Sequence, residues 1–136
     1  MGLNVNPLDV SNIDGKARAS QRYIIQAIIP DISTAQSVYT ASLPFDYEIE
    51  GAYITDESGV TVADSTITLE VNGTAVDGCS AVVPAGGGAG NSVAFSAPTG
   101  GATNEMNEGD VIEVITDGGS TTSSRGIVNI LVKRRA

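Results

Sequence analysis

The chain has 136 residues, with sixteen Gly, no His, no Trp and a single Cys; 41% of it is hydrophobic, 17% is charged, and the net charge is -9. That length fits one domain with one core, and the composition excludes a disordered chain, a helical bundle and a disulfide scaffold. Without His, the Ser/His/Asp and Cys/His arrangements of nucleophilic catalysis and the Cys/His zinc sites are unavailable, so the chain reads as a non-enzyme without a cofactor.

Residues 1–22, MGLNVNPLDVSNIDGKARASQR, form a region of their own. Pro7 and Gly15 interrupt it, and Leu3, Val5, Leu8, Val10 and Ile13 are scattered along it. It reads as an extended N-terminal arm, with a reach of roughly 70 Å at ~3.3 Å per residue. The start lacks the apolar stretch of a signal peptide, and no run is long enough to cross a membrane, so a soluble product made in the cytoplasm is expected.

Residues 23–136 carry the strand signals of the domain. YIIQAIIP (23–30) is β-branched and apolar on both faces, which predicts a strand buried on both sides and central in its sheet. QSVYTASLP (36–44) follows, then YEIEGAYIT (47–55). Strict alternation puts Tyr47, Ile49 and Tyr53 on one face of the latter, with Glu48 and Glu50 on the other. VTVA (60–63) is a short strand candidate, and TITLEV (66–71) points Ile67, Leu69 and Val71 inward. Asn72-Gly73 predicts a two-residue hairpin, because a type I′ turn needs positive φ at both central positions. Asp77-Gly78-Cys79-Ser80 reads as a turn, SAVVP (80–84) and NSVAFS (91–96) as strands, and GGGAG (86–90) between them as a loop. That loop lacks the Lys and following Ser/Thr of a P-loop. After a long loop over 97–110 come VIEVIT (111–116), the turn at Asp117-Gly118-Gly119, and GIVNILVK (126–133), again apolar on both faces. Eight or nine strands at short spacing predict an all-β antiparallel sandwich, jelly-roll-like, with an extended N-terminal arm.

The charge pattern is uneven. All seven basic residues lie near the ends or at one loop: Lys16, Arg18 and Arg22, then Arg125, then Lys133, Arg134 and Arg135. Between Tyr23 and Ser124 there is no Lys or Arg but there are fourteen carboxylates. Such a body repels phosphate backbones, so nucleic acid is not an expected partner. The pattern serves solubility, or salt-sensitive docking of the basic margins onto an acidic partner. Cys79 has no His to activate it and reads as a small packed residue. Glu48 and Glu50 are the obvious carboxylate pair for glycoside hydrolysis, yet they read as a solvated strand face, and six aromatic residues make a thin sugar platform. Oxygen ligands for calcium are available at Asp56-Glu57 and at Asp117 near Asp110, but no EF-hand loop is present, so no metal is expected.

The C-terminal half resembles the small β-sandwich proteins encoded among the structural genes of tailed phages, which include capsid decoration (cement) proteins, head fibres and tail-associated proteins. The segments that carry the resemblance are TLEVNGTAV, the Gly-rich loop, EGDVIEV (108–114), TDGGSTT (116–122) and GIVNILV, within residues 60–133. The resemblance implies a structural virion protein on the capsid exterior, a homo-oligomer, as a trimer, that binds the major capsid protein and bridges capsomers. Its contacts would come from the arm (Leu3, Val5, Leu8, Val10, Ile13, Lys16, Arg18, Arg22) and the basic tail (Lys133, Arg134, Arg135). The same style of domain also serves a tail or fibre protein that binds a host receptor, and a carbohydrate-binding module is a further alternative.

Overall fold

The computed structural model describes residues 21–99 and 101–135. Among these there is no helix; nine strands appear in the order β1 (Arg22–Ile29), β2 (Gln36–Tyr39), β3 (Tyr47–Asp56), β4 (Ser65–Val71), β5 (Thr74–Val83), β6 (Asn91–Ala94), β7 (Glu105–Met106), β8 (Ile112–Thr116) and β9 (Gly126–Arg134). The predicted arm lies outside the described residues except for Gln21 and for Arg22, which is the first residue of β1 rather than the last of the arm.

The pairings are nested about one hairpin. Asn72 and Gly73 both have positive φ, 51° and 80°, as the I′ turn requires. This turn joins β4 to β5; outside that pair, β3 pairs with β6, then β2 with β8, then β1 with β9, all antiparallel. The ribbon is rolled so that β9 also pairs with β3 and β8 also pairs with β4. Two sheets result, β1-β9-β3-β6 and β2-β8-β4-β5, with the two-residue β7 attached to β3. This is a β-sandwich with jelly-roll topology.

The core lies between the sheets. Ile49, Ile54, Ile67, Leu69, Val83, Ile112, Val114, Val128, Ile130 and Val132 are all fully buried. Each such side chain contributes about 1.5–3 kcal/mol of burial free energy. Phe45 packs at one end, between the rings of Tyr23 (5.2 Å) and Tyr47 (6.2 Å), with the Arg134 guanidinium 4.5 Å from its centroid.

The other end is closed by short polar side chains. The Asp56 carboxylate is buried and accepts from the Gly59 amide (3.1 Å), the Val60 amide (2.9 Å) and the Ser124 hydroxyl. The Ile32 carbonyl accepts from the Ser65 and Thr116 hydroxyls at 3.1 and 2.9 Å, and Ser65 Oγ in turn accepts the Ser120 amide. These contacts fasten the loops joining the sheets, whose buried backbone groups would otherwise lack partners.

Four expectations need correction. The strand beginning at Tyr23 is not central: β1 pairs with β9 alone among the described strands, and its outer residues Ile24 and Ile28 are exposed. Tyr53 is on the opposite face from Tyr47 and Ile49, because a bulge shifts the β3–β9 register between Ile49 and Gly51 and inverts the alternation. VTVA (60–63) is not a strand: Val60 is buried beneath the loop that Asp56 holds, while Val62 is exposed. Asp77-Gly78 is not a turn between elements but an irregularity inside the ten-residue β5, where Gly78 has φ 75° and its missing Cβ leaves room for Thr99.

Two predictions follow from this packing. Asp56→Ala strands two buried amides and a hydroxyl, and is expected to cost about 3 kcal/mol, read as a lower urea midpoint; Asp56→Asn, which keeps one acceptor, should lose less. Burial pushes the Tyr47 phenol up to about 12, with the charge of Asp110 adding to it, and pushes the Cys79 thiol up to about 11. The fold therefore favours both protonated forms. This stabilisation is complete below their ordinary values of 10.0 and 9.0 and is lost as pH rises through the folded values. Denaturation midpoints should fall between pH 9 and 12, with a shallower fall in Tyr47→Phe.

Candidate interaction face

The two outer faces of the sandwich differ in chemistry. On β2-β8-β4-β5 one transverse row reads Tyr39, Glu113, Glu70, Ala75, and the next reads Ser37, Ile115, Thr68, Ser80. That face is acidic and rich in hydroxyls. On β1-β9-β3-β6 the rows are Ile24, Leu131, Gly51; then Gln26, Asn129, Tyr53, Ala94; then Ile28, Ile127, Thr55, Ser92. None of these residues is charged. Ile24 is 62% exposed, Tyr53 59% and Ile28 44%, with Leu131 and Ile127 half-buried between them. On a chain of net charge -9, exposed apolar side chains grouped on one sheet face, in rows on either side of Gln26 and Asn129, make this face the candidate for interaction.

The geometry follows from the strands. Gln26 Nε2 donates to Asn129 Oδ1 at 3.1 Å, tying β1 to β9 across the middle of the face. The Ile49–Gly51 bulge places Tyr53 outward, beside a notch of about 230 Å³ lined by Gly51, Ala94, Ala97 and Leu131. A polar cleft of about 310 Å³ lies at the loop end of the other sheet, between Asn72, Thr74, Thr103, Asn107 and Asp110.

The face has one charged end. There the antiparallel β1–β9 pairing brings together the two basic margins that lie at opposite ends of the sequence: Arg22 is opposite Lys133, which is opposite Glu48 on β3. Arg22 holds Glu50 through Nε at 2.8 Å and a second nitrogen at 3.3 Å. Arg134 turns inward onto Phe45, and Arg135 donates to the Met106 carbonyl at 2.9 Å and approaches Glu105 at 3.8 Å. Of the contact residues expected from sequence, Arg22, Lys133, Arg134 and Arg135 thus cluster at this end, while Leu3, Val5, Leu8, Val10, Ile13, Lys16 and Arg18 lie outside the described residues. Glu48 and Glu50 face these cations. Among the described residues no group of three or more His, Cys, Asp or Glu is placed to hold a metal ion, and no helix is long and apolar enough to cross a membrane.

Sequence reasoning missed Ile24, Ile28, Ile127, Leu131 and Tyr53 as surface residues. The signal was present in the doubly apolar strands, which bury both faces only when something covers the second one.

No family model matches the chain, and no curated protein matches it. Its fold is similar to solved structures. One is a chain of the acidic stable capsid structure of Helicobacter pylori bacteriophage KHP30, at 8% identity and a TM-score of 0.53, covering 87% of this chain and 91% of that one. Another is a chain of the cyanophage Pam1 capsid asymmetric unit, at 17% identity and a TM-score of 0.44, covering 84% of each. A third is the carbohydrate-binding module CsCBM6-3 from Clostridium stercorarium in complex with cellobiose, at 12% identity and a TM-score of 0.42, covering 87% and 83%.

The division into an inner and an outer face is directly measurable. In the chain without residues 1–20, Ile24→Thr with Ile28→Thr should leave the unfolding free energy from urea titration within about 0.5 kcal/mol of its parent. Ile130→Ala, on the inner side of β9, should cost about 2–5 kcal/mol.

Proposed function

We propose that this chain is a structural protein of a phage virion, without catalytic activity, that binds the major capsid protein on the outside of the shell and bridges neighbouring capsomers as a trimer. The observation that carries the reading is the fold likeness to a chain of the KHP30 phage capsid, which runs through nearly the full length of both. The contrast between one uncharged apolar face and one acidic face supports it, since a subunit of a coat needs one side for contact with other proteins and one to meet solvent.

The mechanism is mass action. A ligand that binds only the assembled shell shifts the equilibrium toward assembly, and many modest contacts repeated over a lattice act together. The arm residues Leu3, Val5, Leu8, Val10, Ile13, Lys16 and Arg18 make the contacts that hold the copies to one another and to the shell, with Arg22 and the tail Lys133, Arg134 and Arg135 at their base. Lys133 carries more of the tail's share than Arg134 and Arg135, whose guanidinium groups are engaged with Phe45 and Met106.

A second reading, carbohydrate binding, has one observation in its favour: Tyr53 stands exposed beside the notch, in register with Asn129 and Gln26. Two assays separate the readings. The purified protein should co-sediment with preassembled shells of its phage and raise the temperature at which they open. Deletion of residues 1–20, which spares β1, should abolish binding while the far-ultraviolet spectrum stays that of a β-protein. Absence of shell binding, together with saturable glycan binding that Tyr53→Ala removes, would replace the first reading by the second.

A further inference from the structure

The uncharged outer face of β1-β9-β3-β6 has no described segment over it, and the chain supplies a segment of matching chemistry. Residues 3–13 hold five apolar side chains, Asn4, Asn6 and Asn12, a single carboxylate (Asp9) and no cation. The face they would meet has apolar rows on either side of the amides Gln26 and Asn129. Among the described residues the buried core is built by side chains from Ala27 to Val132.

Direction argues that the segment covers another copy's face. β1 runs from Arg22, at the charged end of the face, toward Ile29, so the preceding chain approaches from beyond that end. The Gln21 carbonyl accepts the Arg134 amide at 2.9 Å, continuing the β1–β9 ladder outward. Residues 16–21, Lys-Ala-Arg-Ala-Ser-Gln, contain no Gly or Pro to reverse the path; Gly15 is the first such position. By then an extended chain is roughly 20 Å past the sheet, and residues 3–13 add about 36 Å, more than the roughly 26 Å length of an eight-residue strand.

We propose that residues 3–13 of one copy lie on the outer face of the β1-β9-β3-β6 sheet of a second copy. The inference rests on the oligomeric part of the proposed function and names the contact that builds the oligomer. Leu3, Val5, Leu8, Val10 and Ile13 fill the ground between Ile24, Ile28, Tyr53, Ile127 and Leu131, and the asparagines meet Gln26 and Asn129. Lys16 and Arg18 then cross the charged ends, near Glu48 and Glu50.

Sedimentation velocity of the full chain tests this. The full chain should be an oligomer, and both the deletion of residues 1–14 and the double variant Ile24→Glu with Ile28→Glu should be monomers with the parent's far-ultraviolet spectrum. Tyr39→Glu with Val82→Glu, on the opposite sheet, should stay oligomeric. Mixing the deletion variant with the Ile24→Glu/Ile28→Glu variant should restore a mixed pair, since one supplies the segment and the other the face. A monomeric full chain, an oligomer that survives either change, or a mixture that forms no pair would overturn the proposal. If Glu at both positions prevents folding, Ile24→Thr with Ile28→Thr takes its place, with a weakened association expected and an unchanged one overturning the proposal. Shell binding is measured separately, so a monomer that binds shells sinks this inference and the trimer with it, and leaves the shell-binding part of the proposed function standing.

Discussion

The fold depends on the insertion of β9 between β1 and β3. Its inner residues Val128, Ile130 and Val132 are fully buried, and its backbone bonds on both sides. Among the described strands β1 pairs with no other, so without β9 the sheet separates into a lone strand and a short ladder. The strand begins at Gly126, where a Cβ would stand 2.9 Å from Ile32 Cγ2 and 3.0 Å from Ile54 Cδ1. A side chain there would push the closing strand away from the loops that Asp56 and Ser124 hold together.

The difference between the two faces rests on a single extra residue. Up to Ile49, β3 alternates as an amphipathic strand should, with Glu48 outward and Tyr47 inward. Two residues then oppose one of β9, and everything beyond them is inverted: Ala52 and Ile54 go into the core, and Tyr53 goes out. Without that insertion, the Tyr53 ring would point into the core. The bulge also opens the notch beside Tyr53 and gives Glu50 its position against Arg22. One irregularity therefore shapes the core, the face and the charged end together.

The legible parts of this structure were those with a short-range cause. TITLEV alternates because β4 has one buried face, and Asn72-Gly73 turns because both residues accept positive φ. What could not be read needed knowledge of partners far along the chain. A doubly apolar strand can be a central strand or an uncovered one. YIIQAIIP proved to be uncovered, and GIVNILVK central in its sheet yet half-open on its outer side. The bulge in YEIEGAYIT has only Gly51 as a local sign, and the Asp77-Gly78 irregularity looks like an ordinary turn until Thr99 is placed against it. The basic margins were visible in sequence, but not that β1–β9 pairing would bring them together with Glu48 and Glu50.

The nested pairing also has a consequence for the time course of synthesis. Only the β4–β5 hairpin can form as soon as it is made; β3 waits for β6, β2 for β8, and β1 for β9, each pair separated by a longer loop. Nearly the whole domain must leave the ribosome before its first strand has a partner. During that interval the isoleucines of β1 and the unfilled gap beside β3 are open to other chains. Crowded expression should therefore select for slow translation, a chaperone, or prompt capture of the finished chain by the assembly it joins.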